Sequence, residues 1–149
     1  MASSTHSSLA TASISAICII RAVVGGAMLL GPQRSAELFG VPLTSETSVV
    51  GRLFGSRDLA LGALLWHAHR AAAISQSNIL LQLSDSAVSK DATGILRYAL
   101  YTGLAVDLMD VGGCTVGVFD GSVSERGAAV FGGGAVLLAI LAGLGLRSL

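Results

Sequence analysis

Six charged residues stand inside apolar stretches of this chain: Arg21, Arg52, Arg57, Asp58, Asp107 and Asp110. At the centre of a membrane helix each costs roughly 2.5–3.5 kcal/mol on insertion scales. A chain keeps such residues where they face a bundle interior or a wet cavity and find partners there. Three arginines and three aspartates are together formally neutral. Asp beside Arg in a secluded pocket suits general acid–base work. An ionised Asp takes a proton from water or a hydroxyl. A second Asp, kept protonated by its surroundings, gives one to a leaving oxygen, and Arg stabilises the developing anion. That chemistry fits the opening of a strained ether such as an epoxide, or an acid-triggered cyclisation or isomerisation. It does not fit redox work without a cofactor. The sequence has no cofactor motif, and none is expected. Nor does it contain GxSxG, a phosphate loop or HExxH.

Helical spacing decides which of these residues meet. Asp107 and Asp110 are three apart, so they lie about 60° apart on one face. Gly103 and Cys114 share that face. Two carboxylates so close in a low dielectric do not both ionise freely unless an Arg sits between them. Arg57 and Asp58 lie about 100° apart, and Arg52 about 140° from Arg57. Asp58, Asp107 and Asp110 are therefore the candidate catalytic carboxylates. Arg52 and Arg57 are candidates for orienting and polarising them. Arg21, Tyr101 and Trp66 are candidates for substrate contact, although Trp66 also fits a headgroup-belt aromatic. His67 and His69 form an HxH with no further ligand nearby in sequence, so no metal site is expected. The competing reading is that Arg–Asp pairs only fix the register of the bundle. For six charges in a chain this small, that is a costly complete account.

The elements that must carry these residues follow from composition. The chain has 149 residues, 52% hydrophobic and 12% charged, with a mean hydropathy of +0.74. A soluble domain carries about 25% charged residues. The reading is an integral membrane protein of one domain, residues 1–149. Formal net charge is zero, which argues against nucleic acid as a partner. Nineteen glycines suit close helix packing in lipid. Cys18 and Cys114 fall in apolar segments and read as inert thiols. The N-terminus, MASSTHSS, lacks the basic region of a cleaved signal. The first apolar segment is therefore read as a retained helix.

A span needs about 20 mostly apolar residues. Four stretches qualify: about 9–30, 48–67, 93–119 and 127–146. Gly31-Pro32 stops the first, and one or two interfacial helical turns are expected between Pro32 and Ser45. Residues 71–92 read as the longest connection, either a lid or a loop resting on lipid. The fourth span has no internal charge and reads as a packing or lipid-facing helix. Gly51-x-x-x-Gly55 and Gly113-x-x-x-Gly117 fit packing within the chain better than a dimer motif. The expected fold is all-α: an integral membrane four-helix bundle with a polar intramembrane cavity lined by the first three spans. Lys and Arg placement favours cytoplasmic termini, with the endoplasmic reticulum as the expected membrane.

The segment Arg52-Leu53-Phe54-Gly55-Ser56-Arg57-Asp58-Leu59-Ala60-Leu61-Gly62 resembles a family of small four-helix integral membrane proteins of unknown function. Its members share R-x-F-G-x-R-D-x-x-L-G in the second helix and D-x-x-D in the third. Here the latter is Asp107-Leu108-Met109-Asp110. The likeness also takes in Arg21 and the turn Phe39-Gly40-Val41-Pro42, and so covers most of the chain. Residues 71–92 are less typical. The family carries no established general activity. Small membrane proteins of this kind occur in fungal natural-product pathways, some as epoxide hydrolases or cyclases. The Asp/Arg set is also similar in chemistry to limonene-type epoxide hydrolases, which are soluble and differ in fold.

The resulting expectation is a membrane-embedded, cofactor-independent enzyme that opens an epoxide on a lipophilic natural-product substrate, by hydrolysis or cyclisation. Its implied partners are that small molecule and the bilayer, with a homo-oligomer left open. The alternatives are a non-catalytic binder or transporter of a lipophilic molecule, or a structural membrane subunit.

Overall fold

The computed structural model describes residues 3–80, 86–147 and 149, and every regular element among them is helical. The helices are α1 (Ser3–Leu30), α2 (Pro32–Leu38), α3 (Ser48–Leu80), α4 (Ser86–Phe119) and α5 (Glu125–Arg147). The all-α expectation stands, but the described helices number five, not four. The extra one is α2, where one or two turns were expected. Pro32 opens it, since the first turn of a helix has no use for the missing N–H. Gly40 closes it at φ +75°. Its N–H donates to the Glu37 carbonyl, and the Val41 N–H donates to that of Ala36. This closure requires a left-handed residue, which glycine supplies without strain.

The expected long connection is mostly helix. Residues 71–92 contain neither Gly nor Pro, and the three alanines at 71–73 are strong helix formers. α3 therefore runs on to Leu80, and α4 already begins at Ser86. Of the apolar patch at 79–83, residues 81–83 lie outside the described residues. At 1.5 Å per residue α3 is about 50 Å long, well beyond a hydrocarbon core of about 30 Å.

Among the described residues, three stretches are long and apolar enough to cross a membrane: Thr11–Leu30, Asp91–Phe119 and Glu125–Arg147. They match three of the expected spans. The expected span 48–67 is not among them. Arg52, Arg57 and Asp58 fall within seven residues of each other and dilute its apolar character.

The four long helices form a ring. α1 packs on α3 and α5, and α4 packs on α3 and α5. α1 and α4, like α3 and α5, face each other across a diagonal without backbone contact among the described residues. Register shows that neighbours run antiparallel. Gly25 of α1 meets Gly55 of α3, while Arg21 meets Gly62; Gly132 of α5 meets Cys114, while Gly145 meets Ile14 and Leu100. One end of the ring is a closed apolar core of Ile14, Ile17, Leu65, Leu96, Leu100 and Leu138 with smaller residues between them.

α1 and α3 make the closest approach. On α3 the buried stripe is Gly51, Gly55, Asp58, Gly62, Leu65, Ala68, Ala72 and Ser75, the three-and-four spacing of one helix face. A Cβ added at Gly55 would stand 2.5 Å from the Gly25 carbonyl oxygen and 2.6 Å from the Leu29 nitrogen. Both are backbone atoms and cannot step aside. Gly55→Ala is expected to lower stability by about 1–3 kcal/mol, as overpacking does. Gly26→Ala is the control, because a Cβ there meets nothing within 4 Å. Melting of both variants in detergent checks this: equal melting temperatures would mean that the α1–α3 contact is looser than described.

Candidate functional site

Arg21 bridges the diagonal that the backbones leave open. It sits on α1 and is only 2% exposed. Its Nη1 donates to Asp58 Oδ1 on α3 at 2.7 Å. Its Nη2 donates to Asp107 Oδ1 on α4 at 2.6 Å and to the Gly103 carbonyl at 3.4 Å. Two glycines make room for it. A Cβ at Gly62 would lie 3.2 Å from the Arg21 Cβ, and one at Gly103 3.5 Å from its Nη2. Arg21 was expected as a substrate contact of the pocket. It is the hub on which α1, α3 and α4 converge.

A second pair continues the chain of charges. Arg57 donates from Nη1 to Asp110 Oδ1 at 2.9 Å and from Nη2 to Asp110 Oδ2 at 2.7 Å. That two-pronged geometry is the strong form of an Arg–carboxylate contact. The same Nη2 lies 3.7 Å from Asp58 Oδ1, and the guanidinium stands 4.6 Å above the Phe54 ring, a cation–π distance. The order is Asp107, Arg21, Asp58, Arg57, Asp110. Arg21 and Asp107 lie near the middle of the candidate spans Thr11–Leu30 and Asp91–Phe119, deepest in the bilayer if those helices cross it.

Three expected members stand apart. Arg52 is on the exposed face of α3 and has no hydrogen-bond or charged partner among the described residues. The five residues between it and Arg57 turn it about 140° away. Tyr101 is 59% and Trp66 43% exposed, and neither borders the charges. Without Arg52, the expected neutrality is lost. The network has two guanidinium groups and three carboxylates, one anion in excess. Asp58 and Asp107 each engage Arg21 through Oδ1 alone. Their Oδ2 atoms have no hydrogen-bond partner among the described residues.

A cleft of about 410 Å³ reaches the network from the end opposite the apolar core. This is within the range of about 300–1,000 Å³ typical of small-molecule sites. All five helices border it, not three. Ile20, Val24 and Met28 come from α1, Ala36 from α2, Gly51 and Phe54 from α3, Cys114 from α4, and Phe131, Gly134 and Leu138 from α5. The charge-free α5 is thus a wall of the cleft. Phe131 sits 5.4 Å from Phe39 and 6.0 Å from Phe54 between ring centroids, so the three rings form one side. The walls are apolar. The charged groups lining the cleft are Asp58, Asp107 and Asp110; neither Arg21 nor Arg57 is among the lining residues.

Sequence reading missed the aromatic wall and the glycine seats, though a signal existed. Phe54 lies four before Asp58 and Gly62 four after it, on its own face of the helix. Among the described residues, no three His, Cys, Asp or Glu side chains gather to hold a metal ion. No protein-family model, curated protein or solved structure matches the chain. The family resemblance rests on its motif residues alone.

Proposed function

We propose that this chain is a membrane-embedded enzyme that opens an epoxide on a lipophilic substrate by Asp/Arg acid–base chemistry. One observation carries the reading. Asp58 and Asp107 share Arg21 through one oxygen each, and both line an apolar cleft large enough for a small molecule. In this reading α3 is a fourth span whose charges are covered by α1 and α4. The cleft is then an intramembrane cavity that is polar at its inner end. The substrate's apolar body lies along Phe39, Phe54 and Phe131, with its epoxide at the carboxylates.

One carboxyl group of the network carries a proton and gives it to the epoxide oxygen as the C–O bond breaks. An ionised neighbour takes a proton from the water whose oxygen bonds to the carbon. Epoxide plus water gives a diol, and one proton has passed from one carboxyl to the other. An internal hydroxyl in place of water gives a cyclic ether. Arg21 and Arg57 hold the carboxylates in place, and their two positive charges balance two of the three anions. The proposed setting is the endoplasmic reticulum membrane with cytoplasmic termini.

Single turnover in ¹⁸O-water tests this, with enzyme in excess over a lipophilic epoxide. Label in the diol on the first turnover is the expected result. His67 and His69 do not line the cleft, so neither serves the second step of an ester route. Label in the protein and not in the diol would establish that ester route instead. A cyclic ether with no label would make the enzyme a cyclase. Ligand-induced stabilisation with no turnover of any epoxide would replace the reading by that of a lipophilic-molecule binder.

A further inference from the structure

The surplus carboxylate has a consequence that does not depend on epoxide chemistry. Around the cleft, α1 contributes Arg21 to the network, α3 contributes Arg57 and Asp58, and α4 contributes Asp107, Asp110 and the Cys114 thiol. α5 and α2 bring no ionisable side chain to the lining. Arg126 lies against Gly40 at the turn, and the lining does not include it. Asp58 and Asp107 are 4% and 2% exposed. An unbalanced charge at such depth costs several kcal/mol even after relaxation. A proton or a cation held by the network would offset that cost.

We propose that the cleft binds lipophilic ammonium ions, which enter in exchange for that proton. The Nη atoms of both guanidinium groups are held by carboxylates, and neither arginine is among the lining residues, so the charged groups an entering ligand meets in the lining are carboxylates. An anionic headgroup is repelled there. A protonated amine donates N–H to the unpartnered Oδ2 atoms of Asp58 and Asp107, and its hydrocarbon body fills the apolar walls. Phe39 and Phe131 also line the cleft, and aromatic faces attract the same charge; the Phe54 ring is already taken by Arg57. The exchange balances: a carboxylic acid and an ammonium ion give a carboxylate–ammonium pair and one proton released to water.

The test uses the full chain in nanodiscs of zwitterionic phosphatidylcholine. The probes are 1-adamantylamine, protonated at neutral pH, and the neutral near-isostere 1-adamantanol. Calorimetric titration in two buffers of different ionisation enthalpy counts the protons released. The amine is expected to bind about tenfold or more tighter than the alcohol, since a charge pair in a low dielectric separates them, with release approaching one proton per site. Infrared difference spectra should show loss of a carboxylic-acid C=O band on binding. Asp110→Asn leaves two arginines against two aspartates. It should weaken the amine about tenfold or more and abolish proton release. Arg57→Gln raises the anionic surplus and should bind the amine at least as tightly as the unaltered chain. Equal affinity for amine and alcohol would overturn the proposal, as would amine binding without proton release. Unchanged binding by Asp110→Asn would do the same. None of these readouts involves an epoxide, so they stand or fall separately from turnover.

Discussion

Arg21→Gln is expected to unfold the bundle. The guanidinium is the one cation that touches both Asp58 and Asp107, at 2.7 and 2.6 Å. Without it, two buried carboxylates face each other between the neighbouring helices α3 and α4, with Arg57 as the only remaining cation of the network. Breaking a buried pair from one side typically costs about 3–5 kcal/mol, because a charge is left uncompensated. Here two are left. Domains of this size have about 5–15 kcal/mol in all. Arg52→Gln serves as the control, because Arg52 is exposed and unpaired, and such surface changes stay within about 0.5 kcal/mol. The decisive variant is the triple change Arg21→Gln, Asp58→Asn and Asp107→Asn. It keeps only the Arg57–Asp110 pair, is neutral, and should recover much of the lost stability. Melting temperature and monodisperse yield in detergent measure all three. An Arg21→Gln protein that melts with the unaltered chain would mean that these charges are not buried together.

The charges were legible in the sequence because hydrocarbon makes them conspicuous. Arg21, Asp58 and Asp107 each interrupt an apolar segment, and their helical phases point inward with the small residues around them. Which arginine pairs with which aspartate was not legible. The pairing depends on how close two backbones come, and that is set by Gly25, Gly55 and Gly62 acting together. Arg52 shows the limit of a composition argument. It adds to the charge sum but lies about 140° from Arg57 round α3, and so drops out of the network. The long helices were underestimated for another reason. Residues 71–92 are polar enough to read as a connection, yet they contain neither Gly nor Pro, and 71–80 and 86–92 are helix. The wall formed by α5 was missed because a charge-free helix gives no sign of which face it turns inward.

Asp107→Asn should separate chemistry from folding, and the charge count explains why it can. The substitution takes the network from one surplus anion to two guanidinium groups and two carboxylates. Arg21 keeps Asp58, and an amide oxygen at position 107 can still accept its Nη2–H. The variant therefore loses a charge that the fold had to neutralise by other means, and its melting temperature should move little. Turnover of a lipophilic epoxide should fall by about 10²–10⁴-fold, the usual worth of a positioned acid or base. Asp58→Asn makes the same charge change and should behave alike if the two carboxylates act as a pair. The two roles are told apart by comparing kcat with stability in the same preparation. A structural pair predicts that activity falls only as far as the folded fraction does. An acid–base pair predicts full folding with activity near background. Parallel losses of melting temperature and turnover in both variants would leave the network a structural clasp and sink the catalytic reading of Asp58 and Asp107.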